Sequence, residues 1–215
     1  MTWSPATNER ALALIERYPD LRGRVHFIIS LYQGDEPDED YIDRIRAQAD
    51  AAGLPFHMIS DRVASVRGTD SRGRPVFTNR DVLANADFVT YLPIWEGFGN
   101  ALLEAVAARV PVVTTTYLVY KTDVMITGLR TVEIRDRYDE EGYLVIPDSA
   151  LESIRHLLTH PADRDEITEA NFQIARREFG LGVLREKLRQ LLTVYGDEIR
   201  ASRQRLAKAK QRYSV

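Results

Sequence analysis

The sequence predicts an α/β domain, a parallel sheet flanked by helices, followed by a helical C-terminal extension. Three observations carry this. Apolar runs of about five residues alternate with amphipathic stretches of about ten to fifteen, which implies repeated βαβ units and a sheet covered by helices. The runs are nearly continuous rather than alternating, as suits strands buried on both faces. From Asp148 onward the pattern is helical only, broken near Pro161 and Gly180. Such a sheet is expected to be doubly wound, with ligands at the carboxyl ends of its strands.

The elements follow in order. Ala6–Tyr18 reads as a helix with Ala11, Leu12, Leu14 and Ile15 on one face, ended by Pro19 and Asp20. Val25–Ile29 is a strand, and His26 within it reads as a packed core histidine, as does His57 in the strand Pro55–Ile59. Gly34–Asp38 is a loop. Glu39–Ala52 is a helix with Tyr41, Ile42, Ile45 and Ala49 as its apolar stripe and Gly53 at its C-terminal cap. Asp61–Thr78 is polar, with Gly68, Gly73 and Pro75, and reads as a long loop or irregular hairpin. Its arginines, Arg62, Arg67, Arg72, Arg74 and the following Arg80, read as a solvated set, with Arg62 the alternative candidate for a ligand contact. Asn79–Ala86 is a short helix capped by Asn79. Strands follow at Asp87–Leu92, Pro111–Thr115, Arg130–Ile134 and Gly142–Ile146, with a helix at Asn100–Arg109 between the first two.

Composition excludes several classes. The chain has 215 residues, a formal net charge of −3 and no cysteine. Disulfide and thiolate chemistry are therefore absent, and bulk attraction to nucleic acid is not expected. Met1–Asp20 lacks the basic start and apolar run of a signal peptide, and no stretch approaches the ~18 apolar residues that span a bilayer. A cytoplasmic location is expected. His156 and His160 lie four apart, but no cluster has metal-ligand spacing.

The segment that carries chemistry is DFVTYLPIWEGFGNALLEAVAARVPVVTTT, Asp87–Thr116. A strand ends near Leu92. A glycine-rich loop follows, a helix begins near Asn100, and a second strand begins at Pro111. Glycines let backbone approach a ligand, and a helix start offers N–H groups and a positive dipole end to a diphosphate. Glu96 and Glu104 flank that start. Two glutamates alone would be surface carboxylates near a helix N-terminus. With the glycines and flanking strands they suit sugar hydroxyls, from which a carboxylate accepts short hydrogen bonds. Trp95 and Phe98 read equally as core aromatics or pocket walls.

Glu96 and Glu104, with seven residues between them inside EGFGNALLEAVA and ahead of PVV, resemble the E-x7-E signature of the family 4 retaining glycosyltransferases of GT-B fold. The resemblance covers most of the chain, including ADFVTYLP, Gly142–Val145 and the closing helices. It implies the C-terminal, Rossmann-like half of a GT-B fold, with a nucleotide-sugar-binding domain over residues 1–180. Residues 181–215 would then be a helical extension that packs on a missing N-terminal, acceptor-binding domain. Glu96 would be the catalytic glutamate, holding donor sugar hydroxyls. Glu104 would hold the ribose, and the backbone of Gly97, Phe98, Gly99, Asn100 and Ala101 would meet sugar and diphosphate. On the alternative reading, Arg62 would contact the diphosphate or nucleotide and stand in part for the Arg/Lys pair that the family carries in a loop ahead of where this chain begins. The family usually has Gly where Arg109 stands, a change expected to touch only the helix C-cap.

The implied reaction is retaining, metal-independent hexosyl transfer from a UDP- or GDP-linked donor, with no cofactor, and the isolated chain is expected to be inactive. NFQIARREF with Leu184–Leu192 resembles enzymes that glycosylate glycerate-based compatible solutes. The alternatives are a non-catalytic nucleotide- or sugar-binding module in a two-chain complex and a nucleotide-sugar epimerase, whose carboxylate and histidine set is not found. The basic stretch Arg200–Arg212 reads as a solvated helix or as the part that meets the missing domain. Membrane-surface contact is less favoured, because Leu206, Ala207 and Ala209 make a thin apolar face. Self-association is expected if the missing half leaves apolar surface exposed.

Overall fold

The computed structural model describes residues 11–30, 39–135, 137–140 and 144–212. They fall into two compact units, Met1–Ile174 and Ala175–Val215. In the first unit, α1 (Ala11–Arg17) leads to β1 (Phe27–Ile29), α2 (Glu39–Ala52) and β2 (Phe56–Met58). A hairpin of β3 (Gly68–Thr69) and β4 (Pro75–Val76) follows, then α3 (Asn79–Leu83), β5 (Val89–Tyr91), α4 (Asn100–Ala107), β6 (Val112–Thr115) and β7 (Val132–Ile134). Two helices, α5 (Asp148–Thr159) and α6 (Pro161–Phe179), come next, and α7 (Leu181–Arg212) ends the chain. The expected loop at Gly34–Asp38 and the Gly142–Tyr143 part of the expected last strand lie outside the described residues. Leu144 makes one antiparallel bridge to Tyr138.

Apart from the antiparallel β3–β4 hairpin, the strands are parallel, as their continuous apolar character predicts, but among the described residues they form two sheets rather than one. β1 pairs with β2 in one, and β5, β6 and β7 pair in that order in the other. β6 is buried at every residue because it has a strand on each side. β1 corrects the reading of Val25–Ile29 as buried on both faces: Ile29 is buried, whereas Ile28 is 47% exposed. His26 and His57 are not core residues either. They are exposed, hydrogen-bonded to each other at 2.9 Å and stacked diagonally across the β1–β2 pair, His57 being in register with Ile28.

Two apolar clusters meet along α5. Ala150 and Leu157 pack with Val113, Val132 and Ile134 of the three-stranded sheet. Leu151 packs with Leu14, Ile15 and Leu54, and with Phe27 of β1. One helix therefore contributes to both clusters.

The arginine-rich stretch is the hairpin of the two readings, and Arg62, Arg67 and Arg74 staple it rather than being merely solvated. Arg62 donates from Nε and Nη2 to the Pro75 carbonyl, at 3.0 and 2.7 Å. Arg74 reaches Asp70 at 2.7 Å and Asp61 at 2.9 Å. Arg67 pairs with Asp81, and that bond, ahead of the Thr78 contacts, holds the Asp81 carboxyl far below the usual range. Thr78, not Asn79, caps α3: its side chain accepts from Asp81 N–H, and Asp81 accepts from Thr78 N–H. A β-region Thr followed three residues on by an acid closes both donors reciprocally, which leaves Asn79 as the first helical residue with its amide free for other work.

In the second unit α7 turns a row of apolar side chains to solvent. Leu184, Leu188, Leu191, Leu192, Tyr195 and Ile199 are all about half exposed, and their spacing of three and four residues places them on one stripe. This face is broader than the one read at Leu206–Ala209.

Arg109 is the one described non-glycine residue with positive φ, at 59°. It follows the C-cap of α4, where a left-handed residue commonly ends a helix. Its side chain is held by Glu169 at 2.6 Å and lies 3.7 Å over the Phe172 ring. The backbone cost of a left-handed side-chain-bearing residue is about 1 kcal/mol, and half-exposed contacts of this kind offset part of it. Both Arg109→Ala and Arg109→Gly remove those contacts, but only Ala keeps the cost. Urea unfolding is expected to show the Gly variant more stable than the Ala variant by about 0.5–1 kcal/mol.

Candidate functional site

The site is built where β5 and β6 end. The segment Leu92–Gly99 leaves β5 and turns into α4. The turn is set at Gly99, buried, with φ 103°. A Cβ there would lie 2.2 Å from the Tyr117 hydroxyl, so glycine is required for space as well as for conformation. Tyr117 Oη donates to the Phe98 carbonyl at 3.1 Å, and burial pushes the Tyr117 phenol up to about 12. The Tyr117 ring is braced on Tyr91 and Tyr120, at centroid distances of 6.3 and 5.8 Å. Thr115 ties the other end of the loop by donating to the Pro93 carbonyl. Residues at the ends of both strands thus clamp the loop from below.

Glu96 is half-buried in this loop. Tyr91 Oη donates to its Oε2 at 2.8 Å, and the Gly97 and Phe98 N–H groups reach its Oε1 at 2.8 and 3.4 Å. The Tyr91 bond is the main reason its carboxyl titrates below the usual 4.5, burial opposes it, and the two backbone bonds add to the lowering. Burial, and then Glu96 itself, push the Tyr91 phenol well above its usual range. Glu96 is ionised at neutral pH and points along a fixed direction.

Glu104 lies on the second turn of α4, exposed. Asn79 Nδ2 donates to its Oε2 at 3.0 Å, and Ser30 Oγ donates to Asn79 Oδ1 at 3.2 Å. Between the two glutamates, α4 begins without a side-chain cap. The first N–H groups of a helix have no acceptor within it, so those of Asn100 and Ala101 and the dipole end face the space that Glu96 and Glu104 border.

The structure therefore brings Glu96, Gly97, Phe98, Gly99, Asn100, Ala101 and Glu104 together at one sheet end. Trp95 and Phe98 are not core: they are 73% and 37% exposed. Arg62 spends two donors on the hairpin. His156 and His160 stack at 4.0 Å, His156 bonds Asp163 at 2.6 Å, and no group of three metal-binding side chains occurs among the described residues. Nor is any helix among them long and apolar enough to cross a membrane. Sequence reasoning missed Tyr91, Tyr117, Asn79 and Ser30. Tyr91 and Ser30 had a readable signal, a polar residue at or just past the carboxyl end of a strand. Tyr117 had none.

With this geometry in view, the comparisons place the chain. The profile of the family described as glycosyl transferases group 1 matches residues 6–160. The chain belongs to this glycosyltransferase family. Its relatives include the mannosylglucosylglycerate synthase of Thermotoga maritima, 35% identical over 171 residues, which are 77% of this chain and 37% of that protein. The chain thus spans little more than a third of that relative. Among solved structures it is similar to WaaG, a glycosyltransferase involved in lipopolysaccharide biosynthesis, with TM-score 0.54, 18% identity and coverage of 85% of this chain and 42% of that one. It is also similar to Anabaena HepE in complex with UDP and glucose, with TM-score 0.54, 16% identity and coverage of 90% and 47%. These establish the GT-B fold, of which the chain carries a part.

Two variants test the geometry. Tyr91→Phe removes the bond that lowers Glu96, so the Glu96 carboxyl is expected to titrate higher by NMR. Stability linked to that bond is present above the ordinary glutamate pKa and is lost as pH falls through the lowered one, so the variant's deficit shrinks on acidification. Gly99→Ala must move Tyr117 and strain φ, and is expected to cost over 2 kcal/mol in urea unfolding. A cost below 0.5 kcal/mol contradicts the close approach.

Proposed function

We propose that this chain is the donor-binding half of a glycosyltransferase that moves a sugar from a nucleoside diphosphate to an acceptor hydroxyl with retention at the anomeric carbon. The observation that carries this is the pair of fixed carboxylates on either side of the uncapped start of α4. A diphosphate fits the helix start, where N–H groups and the dipole favour anions. Glu96 accepts from donor sugar hydroxyls, and Glu104 accepts from the ribose diol. Neither carboxylate faces the phosphates, since like charges repel.

In the reaction the bond from the anomeric carbon to the diphosphate oxygen breaks as the acceptor oxygen bonds on the same face. The acceptor proton leaves to the departing diphosphate. Stabilising the developing charge on that diphosphate supplies much of the catalysis, and no metal is required. The relative named for mannosylglucosylglycerate synthesis supports a glycerate-containing acceptor, and HepE supports a UDP-linked donor, with GDP the other candidate. Reaction needs a second half to seat the acceptor and exclude water, so this chain alone is expected to form no glycoside. The apolar stripe of α7 is the surface suited to pack on that half, and without it the chain is expected to self-associate.

Calorimetric titration with UDP, GDP, ADP and their glucose and mannose conjugates tests the reading. One nucleotide is expected to bind, and Glu104→Ala to weaken it by about 1.5–3 kcal/mol, the loss of a charge-assisted hydrogen bond. Equal binding by chain and variant would refute the ribose assignment. No binding by any nucleotide, to this chain or to one extended at its N-terminus, would refute the donor site.

A further inference from the structure

The two glutamates are held by donors of different capacity. Tyr91 has one hydroxyl hydrogen, and it goes to Glu96. Asn79 has more to give than Glu104 takes. A primary amide carries two N–H hydrogens and one carbonyl oxygen. One hydrogen goes to Glu104 Oε2 at 3.0 Å, and the oxygen accepts from Ser30 Oγ at 3.2 Å. The second hydrogen has no partner among the described residues.

The chemistry of the three groups fixes which way the amide faces. A carboxylate only accepts, so the atom against Glu104 is the nitrogen. The oxygen then faces Ser30, whose hydroxyl donates to it. Reversing the amide would set oxygen against carboxylate with no hydrogen between them. Both hydrogens lie in the amide plane, so with one committed to Glu104 the other is held beside that carboxylate. Nor does the backbone claim this side chain. Thr78 caps α3, and Asn79, partly exposed as the first residue of that helix, reaches Glu104 where α3 meets α4.

Glu104 Oε1 also has no partner among the described residues. An oxygen that accepts and a hydrogen that donates therefore stand side by side. That pairing matches a hydroxyl, which gives one hydrogen and accepts another. It matches a vicinal diol better still, because two linked oxygens divide the roles between them. A carboxylate by itself satisfies only the hydrogens of a diol. The oxygens it draws out of water then lack a donor, with the cost that an unmet acceptor carries.

We propose that Asn79 is a ligand-binding residue that sets specificity: Glu104 accepts from the hydroxyls of a ribose diol while the second amide hydrogen of Asn79 donates to one of the diol oxygens. This rests on the reading of Glu104 as the carboxylate that holds the ribose. Ser30 is a positioning residue, acting on the diol only through the amide it orients. The seat selects a ribonucleotide donor over a 2′-deoxyribonucleotide one, because the deoxy sugar lacks one of the two oxygens.

The test is calorimetric titration of the 215-residue chain with UDP and GDP and with their 2′,3′-dideoxy forms, followed as the ratio of dideoxy to ribo Kd. The chain is expected to favour the ribo form of the nucleotide it binds by at least about tenfold. Asn79→Ala is expected to cut that ratio at least about threefold, by weakening the ribo form. Asn79→Asp, the same shape with no hydrogen to give, is expected to cut it as far. Its added charge opposes the diphosphate of both forms alike and cancels in the ratio. In the Glu104→Ala background no carboxylate remains to be held, and Asn79→Ala is there expected to lower the ratio by a further factor of about two or more. No further loss in that background means that Asn79 only holds Glu104, and overturns the contact. A ratio that Asn79→Asp leaves unchanged overturns it as well, since shape then suffices. Binding of no form to this chain, or to one extended at its N-terminus, overturns the donor reading and this inference with it. Binding with a ratio that no Asn79 variant moves overturns this inference alone.

Discussion

The close approach of Gly99 to the Tyr117 hydroxyl is the contact on which the candidate site depends. The loop after β5 must pass low over the end of β6 for α4 to start where it does. Only a residue with no side chain and free access to the left-handed region passes there. The tyrosine that fills the remaining space also bonds the loop carbonyl at Phe98. From that contact the rest follows in order: α4 begins uncapped, Glu96 lies in the loop just ahead of it, and Glu104 returns one helical turn later to the same end of the sheet.

Each carboxylate is then held by a neutral donor rather than by a cation. Tyr91 holds Glu96, and Asn79 holds Glu104, steadied by Ser30. A neutral partner fixes direction without cancelling charge, which leaves both groups able to accept from hydroxyls. The basic residues close by in sequence do the opposite. Arg67 and Arg74 are paired with three aspartates and Arg62 with a carbonyl, so these arginines staple the hairpin.

Much of this was legible in the sequence. The order of strands and helices is periodicity and length, and the site loop is a run of glycines between a strand and a helix bracketed by glutamates. What was not legible depends on contacts far apart in the chain. Asn79 looks like a cap, because cap and first helical residue differ by one position and Thr78 satisfies the same rule better. His26 and His57 look like core residues because a strand with only one neighbour carries the same apolar letters as one with two. Arg109 looks like a harmless exchange, yet its backbone takes the conformation for which glycine is usual, made tolerable by Glu169 and Phe172, sixty and more residues away. Tyr117 could not be assigned a role before the turn at Gly99 was known.

The bonds from Gly97 and Phe98 to Glu96 have a consequence for selectivity. The N–H groups of a glycine-rich turn ordinarily attract any small anion. Here they already point at a carboxylate from their own loop, so inorganic phosphate or sulfate must compete with a tethered rival of the same sign. A polyol meets no such rival, since it offers hydrogens to the carboxylate's remaining lone pairs and leaves the turn intact. The Gly97 and Phe98 N–H groups are in this sense self-passivated: they leave anions to the start of α4 and keep Glu96 turned to ligands that bring hydroxyl donors.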